Sequence, residues 1–284
     1  MAAAIDTTET AIVGQQVHGL SATAAAALGR ALTGASLMGA MLKQDKASVT
    51  LKFNGGGPIG SVVAISDSHG NTRGYVDYPK LELPIRADGK IDVGGAVGNN
   101  GRLGVIRDYG TGEPYVGQVE LVSGEIAEDL TNYYATSEQI PTVCALGVLV
   151  DRETKEVMLS GGLLIQVLPG AIEADIALLE QNIAKLDSMT TMLAKGMTLE
   201  EIVNTALEGF DVEKLDETDI HYACTCSKEK YSRALLTLGE KEILSLPQDD
   251  GMVEAVCPYC SKHYYFSQKE IEELAAVAAA KNEA

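Results

Sequence analysis

Residues 221–236 read HYACTCSKEKYSRALL and residues 252–266 read MVEAVCPYCSKHYYF. The chain has five cysteines in 284 residues, and these two stretches hold four of them: Cys224 and Cys226, thirty intervening residues, then Cys257 and Cys260. Two close pairs brought together by folding make a tetrahedral four-thiolate site, the usual geometry of structural zinc. The segment around them has only about sixty residues, and a core of that size commonly needs a metal or another cross-link. One Zn2+ held by Cys224, Cys226, Cys257 and Cys260 is therefore expected. His263 lies nearby, but four sulfurs already close the shell, so it reads as a helper or bystander.

The dipeptide between Cys257 and Cys260 raises a rival, because CPYC is also the active-site sequence of glutaredoxins. There it follows a strand and opens a helix whose N-terminus lowers the first thiol's pKa. Here KHYYF follows, which is strand-like, and the next helix is expected only near Ser267. A second cysteine pair also has no place in that fold. If the metal left, residues two or three apart are near enough for Cys224 to join Cys226 and Cys257 to join Cys260. The smaller ring would be strained and readily reduced. Metal loss would also remove a folding contribution of roughly 10–16 kcal/mol.

Working outward, residues 171–220 carry twelve carboxylates and three lysines, net −9, half of the chain's formal −18. Ile172, Ile176, Leu179, Ile183, Leu186 and Leu193 recur at spacings of three, four or seven, one face of an amphipathic helix. A second helix is expected from Thr198 to Leu207, with Thr198 as N-cap and Glu200 and Glu201 behind it. Dense like charge raises the free energy of the compact state, so this connector is expected to be marginally stable.

Residues 1–170 read as an α+β domain. Thr7 and Thr8 can cap a short helix ending near HGLS, with His18 at its surface or C-cap. An Ala- and Gly-rich helix runs from Ser21 to Lys43. From Ala47 to Ser123 the pattern is mostly β: SVTLKFN alternates with period two, a hairpin is centred on DSHGN with His69 exposed, and GRLGVIRDYG pairs with EPYVGQVELVS. The clusters Gly55–Gly57 and Gly98–Gly104 lack the following helix and Lys-Ser/Thr pair of a phosphate loop and read as turns. A helix over 125–137 precedes the strands TVCALGVLVD and VMLSGGLLIQVLP. Cys144, amid Val, Ala and Leu, reads as a small core residue. Pro169 and Gly170 end the domain.

The expected architecture is thus α+β: an N-terminal β-sheet domain with packed helices (1–170), a helical linker (171–220) and a small C-terminal zinc-binding domain (221–284). The negative charge argues against nucleic acid. No apolar run is long enough to span a membrane. The start MAAAIDTTET lacks a signal-peptide pattern, so a cytoplasmic location is expected, where paired cysteines point to metal or redox chemistry. A closed four-sulfur site has no open position for water, and no nucleophile or acid–base constellation is visible, so no enzymatic activity is expected.

The stretches CTCSKEKYSRALLTLG, VCPYCSKHYYFS, LGRALTGASLMGAMLK, GGGPIGSVV, GQVELVSGEIAEDLTNYYATSEQIPT and GGLLIQVLPGA together resemble the bacterial redox-regulated holdases, the heat-shock protein 33 family. The likeness covers almost the whole chain and includes all four paired cysteines. It implies an ATP-independent chaperone, quiet when reduced and zinc-bound. Oxidants would convert the two pairs to disulfides, zinc would leave, the linker would unfold, and exposed apolar surface would hold unfolding client proteins. It also implies that the oxidised form dimerises. Family members carry further residues before the stretch matching AAIDTTE, which form an initial strand; here that strand is expected to be affected. A zinc-ribbon interaction module without a redox switch is the alternative and accounts only for the cysteines.

Overall fold

The computed structural model describes residues 1–246 and 251–282. Two compact units form, Met1–Ala223 and Cys224–Ala284. The first contains, in chain order, β1 (Ala2–Asp6), α1 (Thr8–His18), α2 (Ala22–Ala40), β2 (Ser48–Asn54), β3 (Val62–Asp67), β4 (Asn71–Val76), α3 (Val93–Val97), β5 (Arg102–Asp108), β6 (Tyr115–Glu120), α4 (Ile126–Tyr133) with a π-helical turn at Tyr134–Glu138, β7 (Thr142–Val150), β8 (Val157–Gln166), α5 (Glu173–Lys185), α6 (Met189–Ala194), α7 (Leu199–Ala206) and β9 (His221–Tyr222). The second contains α8 (Lys228–Leu235), α9 (Glu240–Ser245), β10 (Val253–Val256), β11 (His263–Phe266) and α10 (Gln268–Asn282). The mixed helix-and-sheet class read from the sequence is the one observed. No helix among the described residues is long and apolar enough to cross a membrane.

The architecture is built around α2. Ser21 caps it, its Oγ accepting from the Ala24 N–H at 3.2 Å. Nearly every residue from Ala22 to Gly39 is buried. Small side chains make this possible. A Cβ on Gly34 would stand 2.6 Å from Leu130 and 3.7 Å from both Leu146 and Leu51, so α4 and two sheets meet the helix at that point. On one side lies the six-stranded sheet β6-β5-β2-β3-β4-β9, antiparallel except for the last pair. On the other lies the three-stranded sheet β1-β8-β7.

The three-stranded sheet is apolar on both faces. Its register aligns Ala3 with Leu164 and Leu164 with Cys144, and this row packs into the α2 core. The adjacent rows, Ala4–Leu163–Ala145 and Ala2–Ile165–Val143, point the other way, because strand residues alternate between faces. That outer face is covered by Leu179 of α5, Met189 and Met192 of α6, and Ile202 and Ala206 of α7. Gly147 and Gly161 make it flat where α6 lands. A Cβ on Gly147 would be 2.7 Å from Thr190 Cγ2, and one on Gly161 2.9 Å from Leu193 Cδ1.

Three local expectations change. The stripe from Ile172 to Leu193 is not one helix: Leu186 is extended, and Ser188 caps a new helix by accepting from the Thr191 N–H at 3.3 Å. This break lets Met189 and Met192 drop onto the sheet; Ile172, at the cap position of α5, is 62% exposed. Thr7 does not cap α1 with its side chain. Its hydroxyl turns inward to Thr33 (2.6 Å) and Ser160 (2.9 Å), joining β1, α2 and β8, while Asp6 Oδ1 accepts the Thr8 N–H. His18 sits in the last turn of α1 with Gly19 as left-handed cap, yet its ring is turned in toward β4 and β9. Thr198 is the expected N-cap, and it forms a capping box with Glu201. β1 is fully paired with β8 from Ala2 to Asp6.

The glycine clusters are close backbone contacts. A Cβ on Gly57 would lie 2.3 Å from the Ala96 carbonyl oxygen, whereas one on Gly104 would meet nothing nearer than 4.0 Å. Gly57→Ala is therefore expected to cost roughly 2–4 kcal/mol and lower the thermal midpoint by about 5–15 °C, with Gly104→Ala within about 1 kcal/mol of wild type. Calorimetry of the two variants side by side checks this.

Candidate metal centre

The C-terminal unit has a small core: Ile243, Val253, Phe266, Ile271, Ala275 and Ala278. Two strands and two caps place its sulfurs. Cys226 immediately precedes Ser227, whose Oγ caps α8 by accepting from Lys230 N–H at 3.3 Å. Cys257 and Cys260 occupy the turn between β10 and β11. Cys257 N donates to Lys262 O and Ser261 N to Cys257 O, both at 2.9 Å, and Ser261 takes a left-handed φ of 56°. The chain after Cys260 is strand, and α10 starts after Ser267, which shares a reciprocal cap with Glu270. Glu270 is also 2.5 Å from Lys228 Nζ, tying α8 to the start of α10.

All four expected sulfurs converge. One Sγ from each of Cys224, Cys226, Cys257 and Cys260 lies within 4.8 Å of every other. Cys224 is 3.7 Å from Cys257, and Cys226 is 3.4 Å from Cys260. A tetrahedron with metal–sulfur bonds of about 2.3 Å has sulfur–sulfur edges of about 3.8 Å. The donor set and its spacing therefore fit a metal ion. Cys257 is 2% exposed and the other three are partly buried. His263 stands apart from the sulfur group, its Nδ1 2.6 Å from Glu254 Oε1. Cys144 lies in the other unit on β7, packed against the main core, where burial pushes its thiol up to about 12.

Two tyrosines beside the sulfurs were not singled out in the sequence. Tyr264 donates its hydroxyl to Cys226 Sγ at 3.0 Å, and its ring lies 5.1 Å from that of Tyr231. The hydrogen bond to Cys226, then burial, raises the Tyr264 phenol well above its usual value. Tyr231 is raised by burial and by its hydrogen bond to Cys257. Tyr264 sits opposite Ala255 in the hairpin register, and only that register reveals which aromatic of HYYF faces the cluster.

Electrostatics explains why a cation suits this cluster. Burial opposes ionisation of Cys257, but N–H groups of Tyr259 and Cys260 and the Tyr231 hydroxyl outweigh it and bring the thiol down to about 7. Burial pushes Cys260 up to about 12 and also raises Cys224. One negative charge so close makes the next costly. A divalent ion reverses that balance and holds coordinating thiols as thiolates.

The family model described as "Hsp33 protein" matches residues 1–267. The chain belongs to the Hsp33 family. It is 44% identical to the 33 kDa chaperonin of Acetivibrio thermocellus over 263 residues, covering 93% of this chain and 88% of that one. It is 43% identical to the 33 kDa chaperonin of Thermoanaerobacter pseudethanolicus over 278 residues, covering 98% and 94%. The crystal structure of the 33 kDa chaperonin of Thermotoga maritima, a heat shock protein 33 homolog, superposes with a TM-score of 0.88 at 39% identity, covering 98% of this chain and 94% of the other. Membership in Hsp33 makes this chain a relative of chaperones, and the four-cysteine cluster is consistent with that membership.

At the earliest times after chelator addition, while the turn around Cys257 is still folded, Cys257 is expected to be alkylated first. Below its pKa of about 7, its rate should rise about tenfold per pH unit and flatten above it, because the thiolate is the nucleophile. Of the four clustered cysteines, Cys260 should react last. Time-resolved alkylation with peptide mass spectrometry at pH 6 to 8 checks the order.

Proposed function

We propose that this Hsp33 member is an ATP-independent holdase switched by oxidation at Cys224, Cys226, Cys257 and Cys260. The observation that carries it is the four-sulfur cluster, built from two sequence-local pairs in a unit whose core is too small to be stable without it. Reduced, Cys224, Cys226, Cys257 and Cys260 would hold one Zn2+ as thiolates, and the ion would supply the cross-link that so small a core commonly needs. On oxidation Cys224 bonds to Cys226 and Cys257 to Cys260. Each new S–S bond gives up two electrons to one peroxide, which takes up two protons and leaves as two waters. No thiolate then remains to hold the ion. Short loops favour these pairs over links between the two stretches.

The readout of the switch is residues 171–220. Their helices α5–α7 cover the outer face of β1-β8-β7 with a few large side chains, while the segment carries net −9. Four such buried side chains contribute roughly 1.5–3 kcal/mol each. Ordering some fifty residues costs roughly 1–2 kcal/mol each. The cover therefore depends on its helix hydrogen bonds and on being anchored at its C-terminal end by a folded metal unit. When that anchor melts, the cover lifts, and apolar rows such as Leu163 and Ile165 become available to unfolding proteins. The same loss of cover favours self-association, so the oxidised chain forms a homodimer. Reduced thiols at rest fit a cytoplasmic setting.

The test follows zinc release and suppression of client aggregation together during peroxide treatment. Both should rise in parallel, with one zinc released per chain. Release without holding activity, or equal holding before oxidation, would reject the reading. Cys257→Ser with Cys260→Ser should abolish zinc binding; undiminished zinc in that variant removes the assignment. Peptide mapping should find the two local disulfides with Cys144 unpaired, and a dominant link between the pairs would count against them.

Ile202 is fully buried beneath α7. Ile202→Asp puts an unpaired carboxylate there, a loss of at least about 3 kcal/mol to the cover alone. The reduced, zinc-loaded variant is expected to hold clients without oxidant. A variant as inactive as wild type, with unchanged hydrogen-exchange protection over 173–206, would show that this segment is not the switch.

A further inference from the structure

The strand β9 is two residues long, yet it completes the six-stranded sheet. His221 N donates to Gly70 O and Ala223 N to Thr72 O, both at 2.9 Å. The backbone comes so close that a Cβ on Gly70 would lie 2.1 Å from the Asp219 carbonyl oxygen. Beside this ladder the Tyr222 side chain enters a slot between α1, α2 and β4. A Cβ on Gly14 would stand 3.4 Å from Tyr222 Cε2 and from Leu32 Cδ1, with Leu28 at 3.8 Å. At the end of the slot the Tyr222 hydroxyl donates to Gly74 O at 3.0 Å, and His18 Nε2 lies 3.0 Å from that hydroxyl and 2.9 Å from Gly74 O. Ile220 and Tyr222 both pack against the main core.

The chain on either side of this strand is irregular. Residues 211–219 are exposed and have neither helix nor strand; they read DVEKLDETD, five carboxylates to one lysine. On its other side, Ala223 is followed directly by Cys224. A two-residue strand is far below the length that pairs stably by itself. Its retention depends on the tyrosine slot and on where Cys224 is fixed. Once it leaves, β4 has an open edge, the kind of template to which an extended chain adds as a new strand.

We propose that the β4 edge and the tyrosine slot form a receptor for an extended segment of an unfolding protein that carries a tyrosine, and that residues 219–223 occupy it as an internal mimic. This rests on the holdase reading for when the site opens, and it adds where, and with what preference, a client binds. Backbone pairing to Gly70 and Thr72 is indifferent to client sequence. The slot is selective, because Gly14 leaves room for a ring and His18 with the Gly74 carbonyl recognises a hydroxyl at its tip.

The experiment uses the full-length, reduced, zinc-loaded Tyr222→Ala variant, which empties the slot without oxidation. The probe is a fluorescein-labelled, end-capped peptide of residues 217–223, ETDIHYA, followed by fluorescence anisotropy. It should bind the variant at least tenfold more tightly than it binds reduced wild type, whose own strand competes. The same peptide with phenylalanine for tyrosine should bind roughly three- to tenfold more weakly, the worth of one hydrogen bond. Adding His18→Ala should reduce that difference, leaving only the share of the Gly74 carbonyl. Equal binding to reduced wild type and Tyr222→Ala, or no tyrosine preference with His18 present, overturns the proposal. Should Tyr222→Ala not fold, oxidised wild type gives the same readouts. There the unlabelled peptide must also slow client capture; binding without competition overturns the client assignment. Zinc release and holding by oxidised wild type are scored separately, so a failure of the switch is distinguishable from a failure of the slot.

Discussion

A three-stranded sheet with apolar rows on both faces must be covered twice, and much of this molecule follows from that requirement. The inner cover, α2, is permanent. It is buried on all sides, shares hydrogen-bonded hydroxyls with β1 and β8 through Thr7, Thr33 and Ser160, and fits because its glycines and alanines let two sheets approach. The outer cover is of a different kind. It is made of three short helices joined by breaks, it seats a few methionines and aliphatic residues on a flat Gly- and Ala-rich surface, and it is strongly acidic. The two faces of one sheet are thus closed by elements of very different intrinsic stability. Such an asymmetry fits the proposed reading, in which an adhesive surface is hidden and later exposed without dissolving the core beneath it.

The C-terminal unit faces a comparable problem on a smaller scale. Among the described residues six apolar side chains are buried together in this unit, a core of a size that commonly needs a metal or another cross-link, and four thiols within 4.8 Å cannot all ionise without a cation among them. Hydrogen bonds from the Tyr231 hydroxyl and from the backbone N–H groups of Tyr259 and Cys260 lower the Cys257 thiol, while burial raises Cys224 and Cys260. Stability and charge state in this unit are therefore coupled through the same atoms, which suits a sensor better than a rigid scaffold.

The sulfur constellation was legible in the sequence because two short spacings are enough to define a tetrahedral donor set. The hairpins of the first unit were legible because period-two alternation and turn residues act locally. The inner buried helix declared itself by small residues alone. The break at Leu186–Ser188 was hidden, since the apolar spacing continues across it and only the capping serine and the geometry of the sheet beneath decide the matter. The inward turn of His18 and Thr7 was equally hidden, because their partners lie 26 to 204 residues away along the chain. The tyrosines beside the sulfurs depend on hairpin register, which the run HYYF does not specify. What sequence reading missed is side-chain direction at element ends, where long-range packing overrides local pattern.

The fifth cysteine, Cys144, has a consequence of its own. It lies on the inner row of the sheet, and burial in the main core suppresses its ionisation. It is therefore chemically silent as long as α2 stays seated, whatever happens to the outer helices. The chain carries its own internal standard. Under the switch proposed above, four thiols consumed by a gentle oxidant with the fifth intact mark a molecule that has changed state while remaining native at its centre, and consumption of the fifth marks one that has been denatured.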